Sequence, residues 1–176
     1  RLCAGARSAK HPFHLGAFAT VRDGRPEQRT VVLRAVEPRR HQLLFHTDAR
    51  SSKVAALAAC PEASWLFYDA EEKIQLRIAC SVRVHRDGPL VEDRWAGSRL
   101  SSRACYVHRD GPGTPLATPL EYGPVQPADA EDPEALTAPG ITNFTVIATT
   151  AHRIDWLSLH HAGHRRMRFN VTPLGF

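Results

Sequence analysis

Lysine is almost missing from this chain: Lys10, Lys53 and Lys73 are the only three among 23 cationic residues, the rest being arginine. Arginine favours bidentate contact with carboxylates and phosphates, although a chain rich in Ala, Arg and Pro also carries arginine through its genomic base composition. The four cysteines (Cys3, Cys60, Cys80 and Cys105) lie far apart without a CxxC pair, which excludes a zinc cluster or redox dithiol and points to reduced, cytoplasmic thiols. Long apolar runs are absent too. The longest candidate, Val54 to Cys60, is far short of the ~18 residues that cross a bilayer, so no membrane span is expected. No GxSxG elbow, GxGxxG fingerprint or Walker pattern occurs, and the hydrolase, Rossmann and P-loop readings fall away. His160-His161-Ala162-Gly163-His164 offers no HExxH spacing, and adjacent histidines on a strand point to opposite faces, so no metal is expected. Arginines spread along the chain with few interleaved aromatics leave a nucleic-acid surface as an outside alternative, and no nucleic-acid partner is expected. The chain begins at Arg1, which leaves a trimmed leader undecided.

What is present suits one folded domain over 1–176. The chain has 176 residues, 43% hydrophobic and 23% charged, with a net charge of +5. Phe13 to Arg22 and Gln28 to Val36 read as strands around Asp23-Gly24, with Arg25-Pro26 suggesting a loop longer than two residues. A strand at Leu43 to Thr47 precedes an alanine-rich helix from Val54 that ends at Pro61. Ser64 to Tyr68 is a strand, and from Ile74 the alternation puts Ile74, Leu76, Ile78, Cys80, Val82 and Val84 on a core face, with Gln75, Arg77, Ser81, Arg83 and His85 opposite. Seven of thirteen prolines crowd between about 110 and 140 beside an acidic cluster at Asp129, Glu131, Asp132 and Glu134, which reads as a surface excursion. Strands resume at Phe144 to Thr149, Ile154 to His160 and Arg165 to Val171. The order predicts a mainly β fold of antiparallel strands, closed or partly closed into a barrel, with a few short helices.

Three segments carry candidate chemistry. His46-Thr47-Asp48-Ala49-Arg50-Ser51-Ser52-Lys53 sets hydroxyls and cations at a strand end and a helix start, where a phosphate fits and an ordinary Ser51 or Ser52 cap reads as well. In Arg29-Thr30-Val31-Val32-Leu33-Arg34, Arg29 and Arg34 face opposite sides unless a bulge intervenes, and a strand with solvated charged ends fits equally. Gln75 on the polar face could pair with a heterocycle edge or simply be solvated.

Together these segments resemble the pyridoxamine 5′-phosphate oxidase family of FMN-binding split barrels. Arg29 to Arg34 is similar to the family's Arg-x-Val-Leu-Leu-Lys strand, and Phe45-His46-Thr47 with Ser51-Ser52-Lys53 to its strand-to-helix element. Leu66-Phe67-Tyr68 with Ile74 to Ile78 is similar to its Leu-Phe-Tyr and Arg-Gln-Val-Arg-Ile pair, and Trp156 with His164 to Phe169 to its C-terminal ligand strand. The resemblance implies an antiparallel split β-barrel, FMN as cofactor, a homodimer with the cofactor at its interface and a small-molecule substrate for an oxidoreductase. It further implies that Arg29, Thr30, Val31, Val32, Leu33, Arg34, His46, Thr47, Ser51, Ser52, Lys53, Gln75, Trp156 and Arg168 line FMN, with Ser52 and Lys53 on its phosphate. Arg165 and Ser102 are the substrate candidates, and no catalytic residue is singled out. Departures are as informative: Arg34 replaces a lysine, Ser52 an arginine, Arg94 and Ser98 a Tyr and Arg that hold the vitamin phosphate, and Met167 a histidine. A flavin- or haem-binding module without turnover is the alternative.

Overall fold

The structure is a computed structural model that describes residues 1–115 and 127–172. Its strands are β1 Leu15–Arg22, β2 Arg25–Val32, β3 Ala35–Glu37, β4 Gln42–Asp48, β5 Glu62–Asp69, β6 Ile74–His85, β7 Phe144–Ser158 and β8 Arg165–Asn170. The α-helices are short: α1 Leu2–Arg7, α2 Ser52–Ala59, α3 Pro89–Ala96, α4 Leu100–Arg103 and α5 Pro133–Thr137. The strands form one sheet in the order β2-β1-β5-β6-β7-β4-β3, with β8 on β7. Every strand pair whose register is described is antiparallel. The chain divides into two compact units, one of Arg1–Phe45, Ala56–Arg83 and Ile147–Phe176, the other of His46–Ala55 and Val84–Val146.

The expected longer loop after Asp23-Gly24 is a two-residue turn, since Arg22 pairs directly with Arg25. Asp23 and Gly24 both take positive φ, 52° and 73°, the conformation whose twist matches a hairpin, and Pro26 sits in the paired strand itself. The single run expected over Gln28 to Val36 breaks at Leu33-Arg34. There the Leu33 N–H donates to His14 O and the Arg34 N–H to Leu44 O, which turns the chain out of one pairing into another. The two runs expected after Phe144 are one continuous strand. Alternation in β6 holds, with Leu76, Ile78 and Cys80 buried and Ile74, Val82 and Val84 half-buried toward the strand ends. Of the excursion at 110–140, residues 116–126 lie outside those described; the remainder includes α5, capped by the Asp132 carboxylate accepting from the N–H groups of Glu134 and Ala135.

In the first unit the core is aromatic. Trp65 stacks on Phe67 at 5.2 Å and meets Phe18 and Phe45 edge-on at 5.0 and 5.4 Å. Gly16 permits this packing, because a Cβ there would come within 2.6 Å of the Phe67 ring. The indole N–H of Trp65 donates to Thr149 Oγ1 at 3.0 Å, and that hydroxyl donates to Leu43 O at 2.8 Å, so the polar atoms buried with the rings are satisfied. The second unit is centred on Phe144, in contact with Trp95, Tyr106 and the His46 ring. Arg103 is buried against Trp95, its guanidinium carbon 5.1 Å from the ring centroid, and donates to the carbonyls of Trp95 and Ala96 and to Glu134.

Candidate functional site

The strand-to-helix turn from β4 into α2 gathers the hydroxyls and the ammonium expected of it. Lys53 Nζ donates to Thr47 Oγ1 at 3.0 Å, and Thr47 Oγ1 and Ser51 Oγ lie 3.4 Å apart. Thr47 and Ser51 are buried, Lys53 is half-buried and Ser52 is exposed. The first turn of an α-helix leaves N–H groups without intrahelical acceptors and carries the positive end of its dipole. Ser51 fixes the turn, its hydroxyl donating to Asp48 O at 2.8 Å. Arg50 is committed elsewhere: it holds the Asp48 carboxylate through Nε and Nη2 at 3.0 and 2.7 Å and donates to the carbonyls of His108 and Arg109. Lys53 is therefore the cation of this turn that stands with the two hydroxyls. The Lys53 ammonium, the Thr47 hydroxyl and a helix start form a donor set suited to a phosphate monoester.

Arg29 lies on the same face of the hairpin as Phe18, with which it pairs. Its Nη1 donates to Thr20 Oγ1 at 2.7 Å and its Nη2 to Glu27 Oε2 at 3.1 Å, and partial burial lowers its pKa despite Glu27. Thr30 and Val32 point to the opposite face, Val31 shares the face of Arg29, Leu33 is buried and Arg34 exposed. The break at Leu33-Arg34 supplies the irregularity that two arginines of opposite parity would need to approach one ligand. Gln75 is half-buried opposite Tyr68, and Ser102 is half-buried on α4. His46 packs its ring on Phe144 at 4.8 Å.

The C-terminal candidates separate. Trp156 pairs with Met167, and Asp155 with Arg168, so Trp156 and Arg168 occupy opposite faces of the β7–β8 ribbon. Arg165, two residues from Met167, shares the Trp156 face. On the other face Asp155 collects three arginines from two strands: Arg77 Nη2 at 2.8 Å, Arg166 Nε at 2.9 Å with its Nη2 also bound, and Arg168 Nε at 3.3 Å. The Arg166 hydrogen bonds, ahead of those of Arg77, hold the Asp155 carboxyl well below the usual carboxylate range. Asp155 was not singled out by the sequence. The signal available was an acid between Ile154 and Trp156 in one strand, followed by an arginine-rich strand.

Comparison with known proteins bears on the fold and on the family likeness. Residues 3–86 match the family described as pyridoxamine 5′-phosphate oxidase, FMN-binding domain. The chain is 28% identical over 160 residues to pyridoxine/pyridoxamine 5′-phosphate oxidase 2 of Arabidopsis thaliana, covering 87% of this chain and 76% of that protein. It is 36% identical over 94 residues to a pyridoxine/pyridoxamine 5′-phosphate oxidase of Chromobacterium violaceum, which is 53% of this chain but only 42% of that protein. The crystal structure of a pyridoxamine 5′-phosphate oxidase-related, FMN-binding protein from Nostoc punctiforme superposes with a TM-score of 0.72 at 21% identity, covering 99% of this chain and 89% of that one. The last likeness establishes the split-barrel fold, mainly antiparallel sheet with a few short helices. Residues 3–86 thus carry the likeness to the pyridoxamine 5′-phosphate oxidase FMN-binding domain, and the chain as a whole has the fold of the split-barrel proteins.

Proposed function

We propose that this chain binds FMN and acts as an FMN-dependent oxidoreductase on a small-molecule substrate, as a homodimer in the cytoplasm. The observation that carries the reading is the Thr47, Ser51 and Lys53 cluster at the start of α2, a phosphate-ready donor set inside the segment that matches the FMN-binding domain. In this reading Lys53 and Ser52 hold the cofactor phosphate, with Thr47 and Ser51 fixing the lysine and the turn. Arg29 to Arg34 and His46 line the cofactor, Gln75 meets the ring edge, and Trp156 and Arg168 enter from the C-terminal ribbon, on opposite faces and so at different parts of the site. Residues 1–176 act as one FMN-binding domain with its proline-rich excursion at 110–140.

Bound FMN supplies the two-electron chemistry, and the protein supplies position and charge. The chain's own contribution is then to anchor the phosphate, orient the ring and admit a substrate, which calls for no acid–base dyad. Self-association is supported by apolar side chains left exposed on the first unit, Leu66, Tyr68, Met167 and Phe169 among them. A reducing, cytoplasmic setting accords with four cysteines that form no disulfide.

The vitamin phosphate itself is a poor fit. Ser98 donates its hydroxyl to Arg94 O at 2.7 Å within α3 and its following turn, and Met167 brings no donor. The test is the visible spectrum of the purified protein with identification of the ligand released on denaturation. Flavin bands and released FMN are expected; a colourless protein that does not take up added FMN would refute the reading, and a haem Soret band would favour the haem module.

A further inference from the structure

Arg50 joins two stretches of the second unit that lie far apart in the chain. Its Nε and Nη2 hold the Asp48 carboxylate on its own turn, and its Nη1 donates to two successive carbonyls, His108 O at 3.0 Å and Arg109 O at 2.9 Å. Gly111 completes the seat, since a Cβ there would come within 2.8 Å of Arg50 Cβ. Asn143 makes a second stitch: its carbonyl accepts from the Ala49 N–H at 2.8 Å, and its Nδ2 donates to Tyr106 O at 2.8 Å. The segment 106–111 is thus fastened to the β4–α2 turn through the carbonyls of Tyr106, His108 and Arg109. A lysine would not reproduce the Arg50 seat, because one ammonium lacks the fixed fork with which a guanidinium spans a carboxylate and two carbonyls.

The same turn bonds order the anion-binding donors. The Arg50 N–H donates to Asp48 Oδ1 and the Ser51 N–H to Asp48 O, so the turn is wound about Asp48, whose carboxylate the Arg50 guanidinium also holds. Thr47 precedes Asp48 and Lys53 follows the turn, with the ammonium donating back to Thr47 Oγ1. Releasing the segment 106–111 takes two acceptors from the guanidinium and frees it to leave Asp48, which loosens the frame that carries Thr47 and Lys53. A site ordered before its ligand arrives binds more tightly than one the ligand must order. By linkage, a ligand that gains from docking of the segment strengthens that docking in return.

We infer that Arg50 is a positioning residue for the anion held at this turn: it docks the segment 106–111, docking orders Thr47 and Lys53, and a bound phosphate group and the docked segment stabilise each other. The inference deepens the flavoprotein reading and rests on it only for the identity of the anion. The experiment follows trypsin cleavage after Arg109, read by mass spectrometry, in the flavin-free full chain saturated with inorganic phosphate, FMN or riboflavin, against chloride at equal ionic strength. Cleavage there requires the segment to leave its seat. FMN is expected to slow this cut about tenfold more than riboflavin does, and phosphate to slow it without any ring. Arg50→Met and Arg50→Lys should both speed the cut and weaken FMN binding about tenfold, leaving riboflavin unchanged. Gly111→Ala unseats the segment from the opposite side without altering the turn and should do the same, which keeps the test decisive if the Arg50 variants do not fold. Equal protection by FMN and riboflavin, or variants that open the segment yet bind FMN as the parent does, would overturn the inference. So would Arg50→Lys matching the parent, since Arg50 would then be a nearby charge rather than a support. Flavin bands without FMN-dependent protection would refute this inference and leave the flavoprotein reading standing, whereas protection by phosphate in a protein that takes up no flavin would do the reverse.

Discussion

Replacing Lys53 by alanine separates a phosphate-binding lysine from a structural one. Its ammonium donates to Thr47 Oγ1 at 3.0 Å from the first turn of α2, and the side chain is only half-buried, so the bond itself contributes little to stability, under ~1 kcal/mol. Against a bound phosphate the same ammonium makes a charge-assisted contact worth ~1.5 to 3 kcal/mol, so FMN affinity should fall by about one to two decades. Riboflavin has the same ring and no phosphate, and its affinity should not change. Lys53→Arg keeps the charge and should recover most of the loss. The assay is quenching of flavin fluorescence on titrating flavin-free protein with each ligand, with urea unfolding run beside it. Equal losses for FMN and riboflavin, or a fall in stability large enough to account for both, would show that Lys53 supports the turn rather than a ligand.

Four further outcomes are expected. Thr149→Val keeps the volume but strands the Trp65 N–H, and should cost ~1 to 3 kcal/mol in urea unfolding, more than Thr149→Ser, which keeps the hydroxyl. Burial, outweighing a hydrogen bond with Thr149, pushes the Cys80 thiol up to about 12, so at pH 8 a disulfide reagent should label exposed Cys3 and Cys105 in the folded protein and reach Cys80 only on unfolding. Asp155 is held below the ordinary carboxylate range, so its contribution to stability is complete above the unfolded value near ~4 and drains away as pH falls toward its folded value. Asp155→Asn should therefore flatten the acid limb of a stability-against-pH curve below about pH 4, and an unchanged limb would refute the assignment. Turnover of pyridoxamine 5′-phosphate under oxygen by FMN-loaded protein should fall a few decades below that of an ordinary enzyme, and micromolar KM with normal kcat would show that Arg94, Ser98 and Met167 were given too much weight.

The β6 face was legible because strict alternation has one cause, a strand with one side buried, and Leu76, Ile78 and Cys80 are where that cause puts them. The break at Leu33-Arg34 was not, because Val31-Val32-Leu33 reads as uninterrupted strand and the interruption comes from bonds to His14 and Leu44, distant in sequence or not yet placed. The turn at Asp23-Gly24 was recognised, but Pro26 argued for a longer loop; within a strand at the sheet's end a proline costs no ladder bond if its missing N–H faces outward. In the site, the Thr47, Ser51 and Lys53 grouping followed from a local strand-to-helix motif. The Asp155 cluster needed the pairing of β6, β7 and β8, and Arg77 and Arg166 are 89 residues apart in the chain. Parity alone could have shown that Trp156 and Arg168 depend on register: the two belong to one ribbon, and only its hairpin decides whether they share a face.

The bond chain from Trp65 through Thr149 to Leu43 links residues 84 and then 106 positions apart, on three different strands. Contacts of such long sequence separation close large loops, and their entropy must be met before they return anything, so this linkage belongs to the late part of folding. Weakening it should leave the folding rate nearly as it is and appear almost wholly as faster unfolding. On that expectation Thr149→Val would shorten the native lifetime of the aromatic core while the rate of its formation stays nearly as it is, a split that unfolding and refolding kinetics read directly.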